Sequence, residues 1–151
     1  MDDDAPLEVQ LVTVAPRPTA VVARTTTWKE FPRIWMQLLD QVYAFLKSSA
    51  VRQSGHNVML YLNDVPSVEV GVEVEGSFDS DGPVVSSALP AGQTAMAVHR
   101  GSYEGLHSTH RAIHQWCAAA GRELAGPRWE IYGDWHEDPQ QLQTEVYYLL
   151  R

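Results

Sequence analysis

Ala20-Val-Val-Ala-Arg-Thr-Thr-Thr-Trp-Lys-Glu-Phe31 and Ala95-Met-Ala-Val-His-Arg-Gly-Ser-Tyr-Glu-Gly-Leu106 align without a gap, 75 positions apart. Identity is low, but the order of residue types is shared: an apolar strand, one or two basic residues, a hydroxyl, an aromatic, then a helix. The register continues beyond these stretches. Trp35, Leu38, Val42 and Phe45 stand opposite His110, Ile113, Cys117 and Ala120, at spacings that place each set on one helical face. Thr27 and Ser102 precede the two helices as N-caps, whose side-chain oxygen satisfies an orphan amide. Gly121 supplies a C-terminal stop for the second helix, and Gly55 marks the loop after the first.

Each helix is followed by two strands. Val58-Met-Leu-Tyr61-Leu matches Trp129-Glu-Ile-Tyr132-Gly, and Val68-Glu69-Val-Gly-Val-Glu-Val74 matches Thr144-Glu145-Val-Tyr-Tyr-Leu-Leu150. Alternation puts Val68, Val70, Val72 and Val74 on one face, and Val146, Tyr148 and Leu150 on the corresponding face of the last strand. Stretches rich in Pro, Gly, Ser and Asp (Ala15 to Pro18, Ser77 to Ser87, His136 to Gln140) predict loops. The chain is therefore expected to be one α+β domain over 1–151. Two βαββ units, about 8–75 and 86–150, are related by a pseudo-two-fold axis, with antiparallel sheets and two long helices around a central cleft. A cleft between units is where a small ligand is expected.

Composition narrows the function classes. Of the 151 residues, 44% are hydrophobic and 20% charged, which suits a globular core. Eleven basic against nineteen acidic side chains give a net charge of −8, which repels phosphate backbones and argues against nucleic-acid binding. No apolar run reaches membrane-spanning length, Asp2 to Asp4 is no signal-peptide start, and Cys117 has no partner for an internal disulfide. These features lead to the expectation of a cytoplasmic protein that does not engage membranes. Pairing of the halves within one chain leads to the expectation of a monomer.

The second half resembles the gyrase-inhibitor-like (GyrI-like) effector-binding family, found fused to bacterial transcription regulators and also alone. The resemblance is carried by Leu89 to Leu106 with its His-x-Gly-x-Tyr run, by Gly126-Pro-Arg-Trp-Glu-Ile-Tyr132, and by Thr144-Glu145-Val-Tyr. It implies a pseudo-symmetric pair of βαββ units and an aromatic pocket with an acid on the last strand, here Glu145. It also implies a stand-alone binder, since no length remains for a helix-turn-helix module.

Glu145 is the leading candidate for ligand binding, because a carboxylate in an apolar strand faces either a polar cavity or an unfavourable dry core. Among aromatic walls it suits a lipophilic cation. Glu69 is its repeat partner. Tyr61, Tyr132, Tyr147, Tyr103 and Trp129 are the aromatic candidates, whereas Trp35 and Trp116 are expected in the core. His107, His110 and His114 have metal-compatible spacing but no matching carboxylate or cysteine motif, so neither a metal nor another cofactor is expected. His99 is expected to pack or cap its turn, and Cys117 to be core.

The expected function is binding of small hydrophobic or cationic aromatic molecules without catalysis. The enzyme alternative is a hydrolase of electrophilic natural products, with Glu145 as general base and Tyr147, Tyr132 or Tyr103 assisting. A third alternative is an inhibitor of a protein partner.

Overall fold

The computed structural model describes residues 7–80 and 82–151, so the acidic Asp2 to Asp4 run lies outside the described residues. Each half contributes four strands and a helix. The first has β1 (Gln10–Val14), β2 (Arg17–Thr25), α1 (Phe31–Lys47), β3 (Gln53–Tyr61) and β4 (Ser67–Val74). The second has β5 (Val84–Leu89), β6 (Gly92–Arg100), α2 (Leu106–Ala119), β7 (Leu124–Tyr132) and β8 (Gln143–Leu150). All eight strands form one antiparallel sheet in the order β1-β6-β8-β7-β3-β4-β2-β5.

The repeat runs further than the sequence pattern indicated. β5 falls inside the expected Ser77 to Ser87 loop, and it is the counterpart of β1 at the same spacing of 75. The two flanking strands are exchanged: β1 pairs with β6 of the other half, and β5 pairs with β2. Only Ala15 and Pro16 separate β1 from β2, although these strands lie near opposite edges of the sheet. Three residue steps span at most about 11 Å. The sheet must therefore curl until its flanks meet. Its inward face buries Val58, Leu60, Trp129, Ile131 and Tyr147, with Leu89 of β5 and Val14 of β1 packed among them.

The outward face carries the helices. Leu38 and Val42 of α1 pack with Val68, Val70, Val72 and Val74, as the strand alternation predicted. Ile113 and Cys117 of α2 pack with Ala95, Ala97, Val146 and Tyr148. The Glu30 amide donates to Thr27 Oγ1 at 3.1 Å, so Thr27 closes the turn before α1. Ser102 makes no side-chain cap bond. There His99 holds the turn instead, with Nδ1 2.9 Å from Thr109 Oγ1 and Nε2 2.7 Å from the Ser102 carbonyl. Gly121 adopts φ +68°, and the Arg122 amide returns to the Cys117 carbonyl, ending α2 as expected.

Gly55 lies within β3 rather than in a loop, at a bulge between Gln53 and Asn57. Gly126 occupies the equivalent bulge of β7, between Leu124 and Arg128, with φ +121°. Each glycine stands six residues before a tyrosine, Tyr61 or Tyr132.

The halves join where β3 meets β7, with Val58, Met59, Leu60 and Tyr61 opposite Ile131, Glu130, Trp129 and Arg128. Met59 and Glu130 face each other across the seam, and the repeat also makes them equivalents. The pseudo-two-fold axis therefore passes through this pair. No helix among the described residues is long and apolar enough to cross a membrane.

Gly71 in the central part of β4 tests the packing. A Cβ there would lie 1.8 Å from the Ala20 carbonyl oxygen of the neighbouring strand. Gly71→Ala is expected to lower the unfolding free energy by about 2–4 kcal/mol, as urea denaturation would show. A loss below about 0.5 kcal/mol would contradict the β2·β4 geometry described.

Candidate functional site

Side-chain parity along β3 and β7 determines what reaches the outward face. Trp129 and Ile131 point inward, so Glu130 and Tyr132 point toward the helices, as do Met59 and Tyr61 of β3. Over this seam, between α1 and α2, lies a cavity of about 910 Å³. Phe31, Trp35, Leu39 and Tyr43 form one wall, a stripe of every fourth residue on α1. Tyr103, in the short 3-10 turn before α2, and Leu106, the first residue of α2, form the facing wall. His56, Asp134 and Trp135 stand at the rim, where the Trp135 indole is 71% exposed.

The floor is built around one carboxylate. Glu130 is 4% exposed, yet each of its oxygens is engaged. Oε1 accepts from the Tyr61 hydroxyl at 3.1 Å and from the Tyr132 hydroxyl. Oε2 lies 2.7 Å from His110 Nε2, and His110 Nδ1 lies 2.7 Å from the Tyr148 hydroxyl. Three donors offset the cost of taking the charge out of water, which would otherwise be several kcal/mol. Both phenol groups also approach the Met59 sulfur, at 3.7 Å from Tyr61 and 3.4 Å from Tyr132. The two tyrosines are thus repeat equivalents that converge on the axis from either side.

Burial pushes the phenols of Tyr61 and Tyr132 well above their ordinary value, and the nearby Glu130 charge pushes them further. They remain protonated donors. Burial likewise raises Tyr148, to about 12, with Arg128 opposing. No lysine or arginine lines the cavity among the described residues. Arg128 lies beside it, paired with Asp64 at 2.8 Å and placed over the rings of Trp28 and Tyr61.

The residues expected from sequence divide between the two faces of the sheet. Tyr61, Tyr132 and Tyr103 line the cavity together, with Tyr103 edge-on to Tyr132 at 5.8 Å. Trp129 and Tyr147 stack at 5.5 Å inside the curled sheet, away from the cavity. Glu69 also faces away from the helices and accepts from Ser87 Oγ at 2.6 Å. Glu145 requires a correction: it is not the acid on the floor of the large cavity. It opens onto a separate hollow of about 350 Å³, and its Oε1 accepts from the Tyr147 hydroxyl at 2.8 Å. The reason is parity, since Val146 and Tyr148 take the outward positions of β8.

Glu130 was the residue missed. A signal was present, because the alignment of Tyr61 with Tyr132 sets Glu130 opposite Met59, a charged residue against an apolar one within matching apolar strands. Trp35, expected in the core, packs there on one side and lines the cavity on the other. Trp116 packs against the α2 core, and Cys117 is buried within it. The three helix histidines do not converge: His107 contacts the Glu104 carbonyl, His110 contacts Glu130, and His114 packs edge-on against Tyr148. No group of three metal-ligating side chains is brought together among the described residues.

A half-open aromatic hollow with one oriented charge on its floor has the form of a small-molecule-binding domain. The chain belongs to the GyrI-like small molecule binding domain family, whose pattern matches residues 7–151. No curated protein matches the chain. Among solved structures, the EcmrR C-terminal domain superposes with a TM-score of 0.83 at 15% identity, covering 97% of this chain and 99% of that one. EcmrR in an EcmrR–DNA complex superposes at 0.80 and 15% identity over 96% of this chain, which spans only 57% of that EcmrR chain. SAV2435 bound to tetraphenylphosphonium superposes at 0.73 and 13% identity, covering 95% of this chain and 94% of that one. At these identities the likeness is one of fold.

The raised phenol values give a pH dependence with a definite sign. Unfolded tyrosine ionises near pH 10, whereas folded Tyr61 and Tyr132 ionise well above it. Their contribution to stability is complete below about pH 10 and is lost as the pH climbs past it. Unfolding free energy should therefore fall steeply above pH 10, and less steeply in the Tyr61→Phe/Tyr132→Phe variant. Equal alkaline slopes in chemical denaturation would contradict the assignment.

Proposed function

We propose that the cavity between α1 and α2 takes up lipophilic aromatic cations, with Glu130 as the buried counter-charge. The observation that carries this reading is the pairing of one 4%-exposed carboxylate with a lining that, among the described residues, holds no lysine or arginine. Tyr61 and Tyr132 occupy both the approach to Glu130 Oε1 and the cavity floor, so a ligand cation would rest against phenol rings that are themselves polarised by the acid. Flat apolar surface would be covered by Phe31, Trp35 and Tyr43. A neighbour in fold, SAV2435, has been solved with tetraphenylphosphonium, a compound of this chemistry.

The size of the effect is modest. Burying about 200 Å² of ligand surface at ~25 cal/mol per Å² gives about 5 kcal/mol before entropic costs, which corresponds to a Kd of about 0.2 mM from apolar contact alone, so binding is weak and promiscuous. The hydrolase alternative gains little from the geometry. Its general base, Glu145, lies in the separate hollow of about 350 Å³ rather than in the aromatic cavity, with Oε1 taken by the Tyr147 hydroxyl.

Trp35 and Trp135 both line the cavity, so tryptophan quenching reports occupancy. Tetraphenylphosphonium is expected to quench the wild type at tens to hundreds of micromolar, the range of about 5 to 6.4 kcal/mol. Glu130→Gln should bind it at least about tenfold more weakly, a loss of about 1.4 kcal/mol, while binding neutral triphenylphosphine oxide as the wild type does. The reading fails if Glu130→Gln binds the cation as well as the wild type does, or if Glu145→Gln alone causes the loss.

A further inference from the structure

Glu130 is the cavity's one deeply buried charge among the described residues, and a single titratable partner stands in ion-pair contact with it. That partner is His110, at 2.7 Å from Oε2. On the opposite side of the ring, Nδ1 meets the Tyr148 hydroxyl at 2.7 Å. Two proton arrangements satisfy these contacts. In the neutral ring, Nε2–H donates to Glu130 and Nδ1 accepts from Tyr148. In the doubly protonated ring, both nitrogens donate and the Tyr148 hydroxyl turns to accept. Geometry and hydrogen-bond count are the same, but the net charge under the cavity is not. The first arrangement leaves the pair at minus one; the second leaves it at zero.

Among the described residues no other basic side chain is in ion-pair contact with Glu130. From β8, only the Tyr148 hydroxyl faces the ring. From α2 itself come His107, turned to the Glu104 carbonyl, and His114, whose ring packs edge-on against Tyr148 at 4.9 Å. From β7 come Glu130 and, further off, Arg128, already paired with Asp64. From β3, Tyr61 reaches the same carboxylate. At the rim, His56 is paired with Asp134 at 2.9 Å.

We propose that His110 determines which charge class of ligand the cavity accepts: a proton on His110 and a cationic ligand exclude one another, so binding of a lipophilic cation releases one proton. This rests on the cavity reading above. The exchange balances in charge. The neutral Glu130–His110 pair gives one proton to solvent, and the remaining carboxylate faces the incoming cation. His110 need not move, because neutral imidazole keeps its bond to Oε2, and the cation acts on Glu130 across the phenol rings. Uncharged aromatic ligands are indifferent to the exchange. His110 is thus a positioning and selectivity residue that need not touch the ligand.

Isothermal titration of the full chain with tetraphenylphosphonium chloride tests this, at pH 6 and pH 8, in buffers of contrasting ionisation enthalpy. Imidazole changes charge across this interval. The wild type is expected to bind several-fold more tightly at pH 8 than at pH 6, and at pH 6 to release up to one proton per cation. His110→Gln retains an amide donor toward Glu130 but does not titrate. It should bind equally at both pH values, without proton release. Triphenylphosphine oxide should bind both proteins independently of pH.

Wild-type binding with no pH dependence would overturn the inference while leaving the cavity reading intact. The same follows if His110→Gln keeps the pH dependence, since the proton then belongs to another group. Absence of binding at either pH would sink the cavity reading itself. Should the variant fail to fold, imidazole nitrogen shifts of wild-type His110 at pH 6 decide the matter. The ring should pass from doubly protonated to neutral as the cation is added, and a ring that stays doubly protonated at saturation contradicts the proposal.

Discussion

A carboxylate held on the seam between two halves of one sheet is the constraint around which this molecule is arranged. Glu130 stands where β3 meets β7, on the axis relating the halves, and the surrounding backbone leaves it 4% exposed. Such a charge is tolerable only if its oxygens are occupied. The donors come from three different elements: Tyr61 from β3, Tyr132 from β7 and His110 from α2. Satisfying one acid therefore ties the first half to the second. It also fixes two aromatic rings as the floor of the cavity and sets how closely α2 approaches the sheet.

Duplication built the frame, and divergence at the axis supplied the chemistry. The halves share their strand order, their bulge glycines at Gly55 and Gly126, and their tyrosines at Tyr61 and Tyr132. They differ at the centre, where Met59 answers Glu130. A second acid in place of Met59 would set two like charges across one cross-strand pair, which disfavours ionisation of both. A thioether there keeps a single charge and still accepts weakly from both phenol hydroxyls. The helices diverge in the same way. Trp35 gives an indole to the cavity wall, whereas its counterpart His110 reaches under the cavity to the acid. Both units supply aromatic surface, and the second adds the charge.

Much of this frame was legible in the sequence because periodicity is local. Alternation of Val68 to Val74 and the helical spacing of Leu38, Val42, Ile113 and Cys117 each depend on side-chain direction along one element, and the structure follows them. The family resemblance rested on motifs that keep their spacing within a strand or turn, and the match over residues 7–151 agrees with it. What eluded the sequence was relational. The exchange of β1 and β5 between halves depends on which edges remain open once the inner strands pair. The identity of the cavity acid depends on which sheet face the helices cover. Glu145 and Glu130 both sit in apolar strands, and only the cross-strand pairing of Glu130 with Val146 and of Ile131 with Glu145 shows that they point to opposite faces. His110 presented the same difficulty, since helical spacing places it near the apolar seam without naming the strand residue beneath it.

Tetraphenylarsonium carries the charge and shape of a lipophilic cation together with an atom that scatters anomalously. A crystal of the full chain soaked with it would locate that charge directly. An arsenic peak between α1 and α2, over the rings of Tyr61 and Tyr132 and on the Glu130 side of the cavity, is the result expected. A peak in the hollow beside Glu145, with the space above Glu130 left to solvent, would contradict the central claim.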